Sequence, residues 1–448
     1  MSFPYTQCIS AITIPAGDYQ NTTFVVAAYQ SGLSVGQLSP NPNPPNYSLG
    51  GVSNLDNNGS STTAIEFLLD YSNTNYPPPY YFVYGSEDEN IWLNSINPAT
   101  GGNQFTSSNV TTQISKQSQP DAPIAALFYY APKNYLYVAA SNGNLYWYSV
   151  TWSNGVPSLS YVGSNTSYTG QYAVSLTFLP ANTVSDYDCL LLGGVSEATG
   201  VIFNAANPSS TPCLYSVYTN YQYGSADMSD AYPILPSAVC RVPNGLYLVS
   251  QGGQLFFSPY GSGVLNGAGY LIGFDAQNSP IWIPPSDQII LSLAYSPNAG
   301  QADGSNYPNG AIFIATAPVS PPNPDNSSVG SMWVCDVSTN TVGESAQVDG
   351  CILGSPWATI ADANLNYLCA TGACGVFRGT LAPYNPSTIP EFGMLVPNEV
   401  VSGAHHEWLS YLVSGAALVF GVVTGDPVAV GWATAGIVAG DVDAQTGY

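Results

Sequence analysis

Basic side chains are nearly absent from this chain, and charge of either sign is scarce. The 448 residues include 4 lysines and arginines against 27 aspartates and glutamates, and charged residues make up 7% of the composition. The bases are Lys116, Lys133, Arg241 and Arg378. Proteins that bind nucleic acid place clusters of lysine and arginine against the phosphates. A formal net charge of −23 at pH 7 therefore excludes nucleic acid as a direct partner.

The shortage of bases also limits the number of ion pairs that can hold the fold together. Ion pairs are lost when carboxylates become protonated, and only four lysine or arginine side chains can form them here. Serine, threonine, asparagine, glutamine and 33 tyrosines fill the polar positions instead. Their hydrogen-bonding groups stay uncharged in acid. This composition predicts a fold that tolerates strong acid.

Histidine occurs only at His405 and His406, which narrows the available chemistry. A serine or cysteine nucleophile is commonly activated by a histidine base, yet these two adjacent residues stand before an apolar segment. They do not form the HExxH of zinc peptidases, and we interpret them as a polar collar. The sequence predicts no cofactor, no metal site and no catalytic residue.

Carboxylates keep one enzymatic alternative open. A glycosidase uses two carboxyl groups about 5 to 9 Å apart. Six acidic residues could converge on one face of the fold: Glu66, Asp70, Asp186, Asp188, Asp227 and Asp230. The acidic turn at residues 87–89 could hold Ca²⁺, but it lacks the EF-hand spacing and is more simply a solvated turn.

A repeated β-hairpin pattern fills most of the chain. Its clearest copy is residues 134–150, NYLYVAASNGNLYWYSV, where two apolar and aromatic runs flank the turn residues SNGN. An apolar residue recurs at the matched position of seven copies: Val26, Val83, Val138, Leu191, Leu248, Ile314 and Leu368. The successive gaps are 57, 55, 53, 57, 66 and 54 residues. Another apolar run precedes each copy, so each repeat has at least three strands and room for a fourth.

Seven evenly spaced units of short strands resemble a seven-bladed β-propeller, whose blades have four strands each. The resemblance is to the architecture, because neither a WD dipeptide pattern nor a kelch double glycine occurs in register. The expected fold is all-β, with a propeller over residues 1–397 and a short apolar helical hairpin over residues 398–448. Two β-sandwiches are the alternative, although sandwiches do not require equal spacing.

The C-terminal segment is uncharged over residues 408–423, WLSYLVSGAALVFGVV, and the apolar run resumes at residues 428–440 after TGDP. Asp426 and Pro427 suit a helix N-cap and first turn. Helices that are apolar all round are buried in lipid or in other subunits, but 16 residues fall short of the roughly 20 that span a bilayer. The predicted anchor residues are Trp408, Leu412, Leu418, Phe420, Trp432 and Ile437.

Proline-rich insertions supply the predicted binding residues. The insertions around Asn73 and Asn298 fall between the first and second strands of their repeats, so in a propeller both emerge on one face. Stiff loops lose little entropy when they bind a ligand. The predicted binding residues are Tyr76, Tyr80, Tyr81 and Tyr307.

The eight cysteines show no zinc-binding spacing and are interpreted as disulfide partners. The predicted pairs are Cys369 with Cys374, Cys335 with Cys351, and Cys189 with Cys213. Disulfides occur in secreted proteins and inside hyperthermophiles, so the cysteine count does not identify the compartment.

Low charge, abundant tyrosine, asparagine and serine, and an N-terminus without a secretory signal together resemble surface or virion proteins of thermoacidophilic archaea and their viruses. The resemblance implies an extracellular or virion-surface attachment module. Its loop tyrosines would bind a host-surface glycan or protein, and its C-terminal helices would join other virion or surface-layer subunits, or a membrane. Two alternatives remain: a secreted, acid-stable carbohydrate-active enzyme, and an S-layer or filament subunit.

Overall fold

The structure is a computed structural model, and its regular elements are almost entirely β-strands, which confirms the predicted all-β class. Short 3-10 turns such as Ala131–Lys133 are the only helical elements in the described part. The described residues are 6–20, 22–29, 32–38, 52–53, 62–98, 108–109, 119–166, 173–181, 186–194, 200–210, 213–215, 217–218, 233–234, 239–249, 254–259, 264–265, 271–272, 280–285, 288–296, 309–318, 331–347, 356–361, 366–371, 375–380 and 392–395.

Short antiparallel sheets follow one another along the chain, and we number them 1 to 7 in that order. Sheet 1 contains β1 (Thr6–Thr13), β2 (Thr23–Tyr29), β3 (Gly32–Leu38) and β4 (Val52–Ser53). Sheet 2 contains β5 (Thr62–Leu68), β6 (Tyr80–Ser86), β7 (Ile91–Ile96) and β8 (Ser108–Asn109). Sheet 3 contains β9 (Ile124–Tyr130), β10 (Tyr135–Ala140), β11 (Leu145–Ser153) and β12 (Val156–Asn165).

The second half of the chain continues the series with small additions. Sheet 4 contains β13 (Ala173–Leu179), β14 (Cys189–Gly194), β15 (Gly200–Asn204) and β16 (Cys213–Tyr215). A two-stranded sheet follows, made of β17 (Val217–Tyr218) and β18 (Pro233–Ile234). Sheet 5 contains β19 (Val239–Val242), β20 (Gly245–Val249) and β21 (Leu255–Pro259).

The remaining strands complete the order. The pair β22 (Val264–Leu265) and β23 (Leu271–Ile272) joins the edge of sheet 4 beside β16. Sheet 6 contains β24 (Gln288–Ser296), β25 (Ala311–Pro318), β26 (Ser331–Asp336) and β27 (Thr341–Gln347). Sheet 7 contains β28 (Pro356–Ala361), β29 (Asn366–Thr371), β30 (Gly375–Thr380) and β31 (Phe392–Leu395).

Each numbered sheet is built around a meander in which strands pair in chain order, and none of these sheets closes on itself. The matched apolar residue of the repeat lies on the second strand of every sheet, from Val26 on β2 to Leu368 on β29. The predicted repeat of strands is therefore confirmed, and among the described residues every sheet except sheet 5 has a fourth strand. The hairpin of residues 134–150 is β10 and β11, with Leu136 opposite Tyr148. Its turn uses Gly143 at φ +91°, a conformation that glycine adopts without strain.

Successive sheets pack against each other through their first strands. β1 contacts β5, β5 contacts β9, β9 contacts β13, β13 contacts β19, β19 contacts β24, and β24 contacts β28. β28 also contacts β1. Sheets that are covered on both faces need strands that are apolar on both sides. In β6, Phe82 and Tyr84 are buried in a cluster with sheet 1, while Val83 is buried in a cluster with sheet 3.

Two buried tyrosines link neighbouring sheets at equivalent positions of the repeat. Tyr137 and Tyr247 each stand one residue before the matched apolar residue of their sheet. The Tyr137 hydroxyl donates to the carbonyl of Ala205, which directly follows β15 of sheet 4 (2.6 Å). The Tyr247 hydroxyl donates to Oδ1 of Asn340 in the β26–β27 turn of sheet 6. Burial raises the pKa of both phenols above its usual value, so both remain donors in acid and at neutral pH.

Replacing Tyr137 with phenylalanine should lower the free energy of unfolding by about 1–3 kcal/mol, because the Ala205 carbonyl loses its buried hydrogen-bond donor. Tyr135→Phe is the matched control, since Tyr135 lies on the same strand and is only partly buried. Urea unfolding of the two variants measures the difference. Equal stability of Y137F and Y135F would contradict the role of this hydroxyl in joining sheets 3 and 4.

The structure corrects two of the predicted disulfides. Cys335 is a buried free thiol, so the pair Cys335–Cys351 is not formed. The pair Cys189–Cys213 is ruled out by the distance between its strands. Cys189 lies on β14 and Cys213 on β16, with β15 between them. Two strand spacings amount to roughly 9.6 Å, whereas a disulfide joins Cα atoms less than about 7 Å apart. The pair Cys369–Cys374 lies outside the described residues because Cys374 is not described.

The predicted C-terminal anchor lies outside the described residues. The last described strand ends at Leu395, so the proposed helices and the residues Trp408, Leu412, Leu418, Phe420, Trp432 and Ile437 are not described. Within the described part of the chain, no helix is both long and apolar enough to cross a membrane.

Candidate functional site

An open cleft lined by aromatic and proline side chains lies between sheets 2 and 3. Its walls come from the β5–β6 loop, residues 69–79, and from the turn between β11 and β12. It encloses about 340 Å³, part of which is open to solvent. We call it the aromatic cleft, and its principal lining residues are Asp70, Tyr76, Pro77, Pro79, Tyr81 and Trp152.

Local hydrogen bonds shape the β5–β6 loop. The carboxylate of Asp70 accepts the Ser72 N–H at Oδ1 (3.0 Å), and the Asp70 carbonyl accepts the Asn73 N–H (3.0 Å). Asn73 Oδ1 then accepts the Asn75 N–H (3.2 Å). Asp and Asn side chains commonly build turns in this way. Three prolines follow at residues 77–79, with a cis peptide bond between Pro78 and Pro79.

Tyr76 occupies an uncommon backbone conformation at the centre of this loop. Its φ of +40° lies in the left-handed region, which costs a bulky residue roughly 1–3 kcal/mol. The Tyr80 hydroxyl donates to the Tyr76 carbonyl (3.2 Å), and the Tyr76 N–H donates to the Asn73 carbonyl (3.4 Å). The surrounding structure therefore holds Tyr76 at the edge of the cleft in a conformation that a free loop would avoid.

The β1–β2 turn of sheet 1 supports the same loop from behind. Gly17 has φ +89°, and a Cβ atom there would lie 2.1 Å from the Asn75 carbonyl oxygen. Only glycine fits both the conformation and the contact. The Tyr19 ring packs edge-on against the Tyr80 ring, with centroids 6.1 Å apart. Sheet 1 thus sets the position of a loop that belongs to sheet 2.

Aromatic rings from sheets 2 and 3 meet around the cleft. Tyr81 and Trp152 pack in a T-shape with centroids 6.1 Å apart. Tyr71, which is 56% exposed, stacks on Tyr129 at 6.5 Å and packs edge-on against Tyr76 at 6.3 Å. Such ring pairs add about 0.5–1.5 kcal/mol each to the burial of their surface. They hold the walls of the cleft in place without a ligand.

Two polar atoms lie on the buried side of this aromatic group, the Tyr129 hydroxyl oxygen and the Trp152 indole nitrogen. The Tyr129 hydroxyl donates to Asn134 Oδ1 (2.7 Å), and burial raises the pKa of this phenol. The Trp152 indole N–H approaches the same phenol and acts against that rise. It does not reach hydrogen-bond geometry, and Trp152 Nε1 is buried with no partner among the described residues.

Glu66 is a residue of β5, and its side chain reaches β9, the first strand of sheet 3. It stands opposite Val83, at the register position where the first strands of sheets 3, 5, 6 and 7 carry leucine, valine or isoleucine. The Tyr129 N–H donates to Glu66 Oε1 (3.2 Å). Burial raises the pKa of Glu66 to about 8, and the Tyr129 hydrogen bond acts in the opposite direction. The side chain is therefore a neutral acid through the acidic and neutral range.

The structure brings together three of the four predicted binding tyrosines. Tyr76 and Tyr81 line the aromatic cleft and remain partly exposed. Tyr80 also lines it, but Tyr80 is only 2% exposed and packs against Phe24 with ring centroids 5.0 Å apart. Its role is chiefly to support the cleft. Tyr307 lies outside the described residues.

Sequence reasoning missed Trp152 and Tyr71. Trp152 precedes Asn154 and Gly155, whose φ values of +53° and +77° form the β11–β12 turn. An aromatic residue beside an Asn-Gly turn of sheet 3, the sheet that follows the one with the β5–β6 loop, was the available indication. Tyr71 follows directly on Asp70 in that loop.

Among the other acidic residues considered for chemistry, Asp188 and Asp88 have structural partners and Asp186 is exposed. Asp188 accepts the Tyr130 hydroxyl at Oδ2 (2.5 Å) and the Ala181 N–H at Oδ1 (2.8 Å), which joins sheets 3 and 4. Asp88 accepts the Ser86 hydroxyl within its own turn. Asp227 and Asp230 are outside the described residues. In the part of the chain that is described, no three His, Cys, Asp or Glu residues are grouped as a metal site would require.

Comparison with known proteins provides no relative from which a function could be carried over. No protein-family model and no curated protein matches this chain. The geometry and chemistry of the aromatic cleft therefore remain the basis for a functional proposal.

Proposed function

We propose that the seven sheets are the blades of a seven-bladed β-propeller. Two observations support this arrangement. Each blade of a propeller is an antiparallel meander, as each numbered sheet is here. The first strands also contact one another in series from β1 to β28, and β28 contacts β1, as expected when innermost strands surround a central axis. In this arrangement the aromatic cleft opens on the face that carries the connections between first and second strands.

We propose that the aromatic cleft binds a glycan of a host or cell surface, without catalysis. The observation that carries the proposal is the meeting of Tyr76, Tyr81 and Trp152 with the polar side chains of Asp70 and Asn73 in one cleft. Aromatic rings pack against the apolar C–H face of a sugar, while carboxylate and amide groups bind its hydroxyls.

The wider role follows from the composition. We propose an extracellular or virion-surface attachment protein, in which the propeller presents the cleft and the C-terminal segment joins other subunits or a membrane. The scarcity of ion-pairing side chains suits an acidic exterior. The two carboxyls nearest the cleft, Glu66 and Asp70, both come from sheet 2 and its loop, whereas glycosidase pairs flank the scissile bond from two sides.

Trp152→Ala tests the binding proposal. Removing a ring from the centre of a binding site typically costs about 2 kcal/mol or more, which is roughly a 30-fold loss of affinity. Binding to an array of surface oligosaccharides measures it, and Tyr187→Ala, which removes a 37% exposed ring outside the cleft, is the control. Unchanged glycan binding by W152A would contradict the proposal. Release of reducing sugar by the wild type would favour the enzymatic alternative.

A further inference from the structure

We infer that the aromatic cleft selects ligands that carry a positively charged amine, such as an amino sugar with a free ammonium group, and that Asp70 is the counter-ion. This inference rests on the proposed glycan binding and adds the charge of the ligand to it. Three properties of the cleft support it: the position of the Asp70 carboxylate, the aromatic walls, and the scarcity of bases.

The two oxygens of the Asp70 carboxylate differ in their hydrogen bonding: Oδ1 is bonded within the loop, and Oδ2 is available to a ligand. Oδ1 accepts both the N–H and the hydroxyl of Ser72. Within the described part of the chain, Oδ2 makes no hydrogen bond, and the side chain is partly exposed at the cleft. The loop thus fixes the carboxylate through one oxygen, so that the second can accept a hydrogen bond from a ligand with little loss of side-chain entropy.

The aromatic walls favour a cation next to that carboxylate. The faces of tryptophan and tyrosine rings carry partial negative charge and attract ammonium groups, with tryptophan the strongest. Trp152, Tyr81 and Tyr76 line the same cleft as Asp70. A neutral sugar gains from the rings alone, whereas an amino sugar gains from the rings and from the carboxylate.

The described lining of the cleft offers no positive charge that could bind the carboxylate of an acidic sugar. None of the residues that line the cleft in the described part is lysine or arginine. The base in sheet 3 is Lys133, an exposed residue of the β9–β10 turn, and it does not line the cleft. With a net charge of −23 the field of the whole chain also attracts cations and repels anions.

Three oligosaccharide probes of equal length test the inference: a β-1,4-linked glucosamine oligomer, its N-acetylated neutral counterpart, and an oligogalacturonate. Calorimetric titration near pH 5.5 keeps the amines protonated. We expect the wild type to bind the glucosamine oligomer at least about 10-fold more tightly than the neutral one, as a hydrogen bond to a charged group allows. The acidic oligomer should bind most weakly.

Asp70→Asn should remove most of that preference and leave the affinity for the neutral oligomer within about 2-fold, because the amide keeps the shape but not the charge. Asp18→Asn is the matched control: it removes one exposed carboxylate from the neighbouring β1–β2 turn, outside the cleft lining, and should retain the preference.

The outcomes separate the two proposals. If the wild type binds the neutral and amine oligomers equally, and W152A weakens both, then glycan binding stands and the amine preference is overturned. A preference that survives in D70N, or a preference for the acidic oligomer, also overturns it. If none of the three probes binds, glycan binding at this cleft is itself contradicted.

Discussion

Replacing Glu66 with glutamine should remove a loss of stability that the wild type suffers as the pH rises from about 4.5 to 8. In the unfolded chain this carboxyl ionises near its ordinary pKa of 4.5, whereas burial between β5 and β9 raises its pKa to about 8. Between those values the folded state holds one proton more than the unfolded state. Stability therefore falls with rising pH, by about 1.4 kcal/mol per pH unit for a full proton.

The expected gain of E66Q over the wild type is roughly 2–5 kcal/mol at about pH 8, with the lower part of the range reflecting the side chain's partial exposure. Below about pH 4.5 the carboxyl is neutral in both states, so the two proteins should have equal stability there. That convergence is the internal control, because the glutamine amide can still accept the Tyr129 N–H. Urea unfolding at several pH values between 3 and 8.5 measures both curves, and parallel profiles would contradict the assignment.

The same experiment examines the acid tolerance predicted from the composition. Glu66 makes the fold more stable in acid than at neutral pH, while Asp121 acts in the other direction. Partial burial tends to raise the Asp121 pKa, but hydrogen bonds from Asn142, Tyr146 and Asn144 lower it overall. Its stabilising contribution is present above the ordinary aspartate pKa and is lost as the pH falls through the lowered value. Loss of most of the stability at pH 2 relative to pH 7 would contradict acid tolerance.

Gly17→Ala should both destabilise the protein and weaken ligand binding in the aromatic cleft. The new Cβ would lie 2.1 Å from the Asn75 carbonyl oxygen, and a φ of +89° strains any residue other than glycine. Because the contact is with backbone, the β5–β6 loop must move to relieve it. We expect a loss of about 2–4 kcal/mol in the free energy of unfolding and at least a 10-fold loss of glycan affinity, since the cleft needs its groups in register.

Gly155→Ala is the matched control for stability. Gly155 has a similar φ of +77°, but a Cβ there meets nothing within 4 Å. Its cost should be the backbone strain alone, about 1 kcal/mol. Chemical denaturation of both variants separates strain from collision. If G17A is no less stable than G155A and binds glycan normally, the β1–β2 turn does not position the binding loop.

The regular spacing of hairpins could be predicted because a strand that is buried on both faces consists mainly of apolar residues. The series from Val26 to Leu368 fell on the second strand of every sheet for that reason. The β5–β6 loop was also predictable as an aromatic, proline-stiffened insertion. The separate roles within it were not, because Tyr80 and Tyr81 are adjacent in the chain but face different neighbours. Only the packing of sheets 1 and 3 against sheet 2 assigns one to support and the other to the cleft.

Cysteine pairing also could not be predicted from the sequence alone. Closeness in sequence favoured Cys189 with Cys213, yet an intervening strand keeps their backbones apart. The residues around Tyr76 did not predict that Trp152 lines the cleft, because Trp152 belongs to the following sheet. Glu66 was visible as an acid in an apolar run, but its raised pKa depends on β9 covering it.

The amino-acid sequence by itself determined the all-β class, the sevenfold repeat and the scarcity of ion pairs, because strand periodicity, turn residues and charge are local or additive properties. The tertiary structure decided which aromatic residues meet in one cleft, which carboxyl is kept neutral and which cysteines lie too far apart to form a disulfide. Those outcomes depend on contacts between sheets more than fifty residues apart in the chain, and the pattern within a single repeat contains no information about its neighbour.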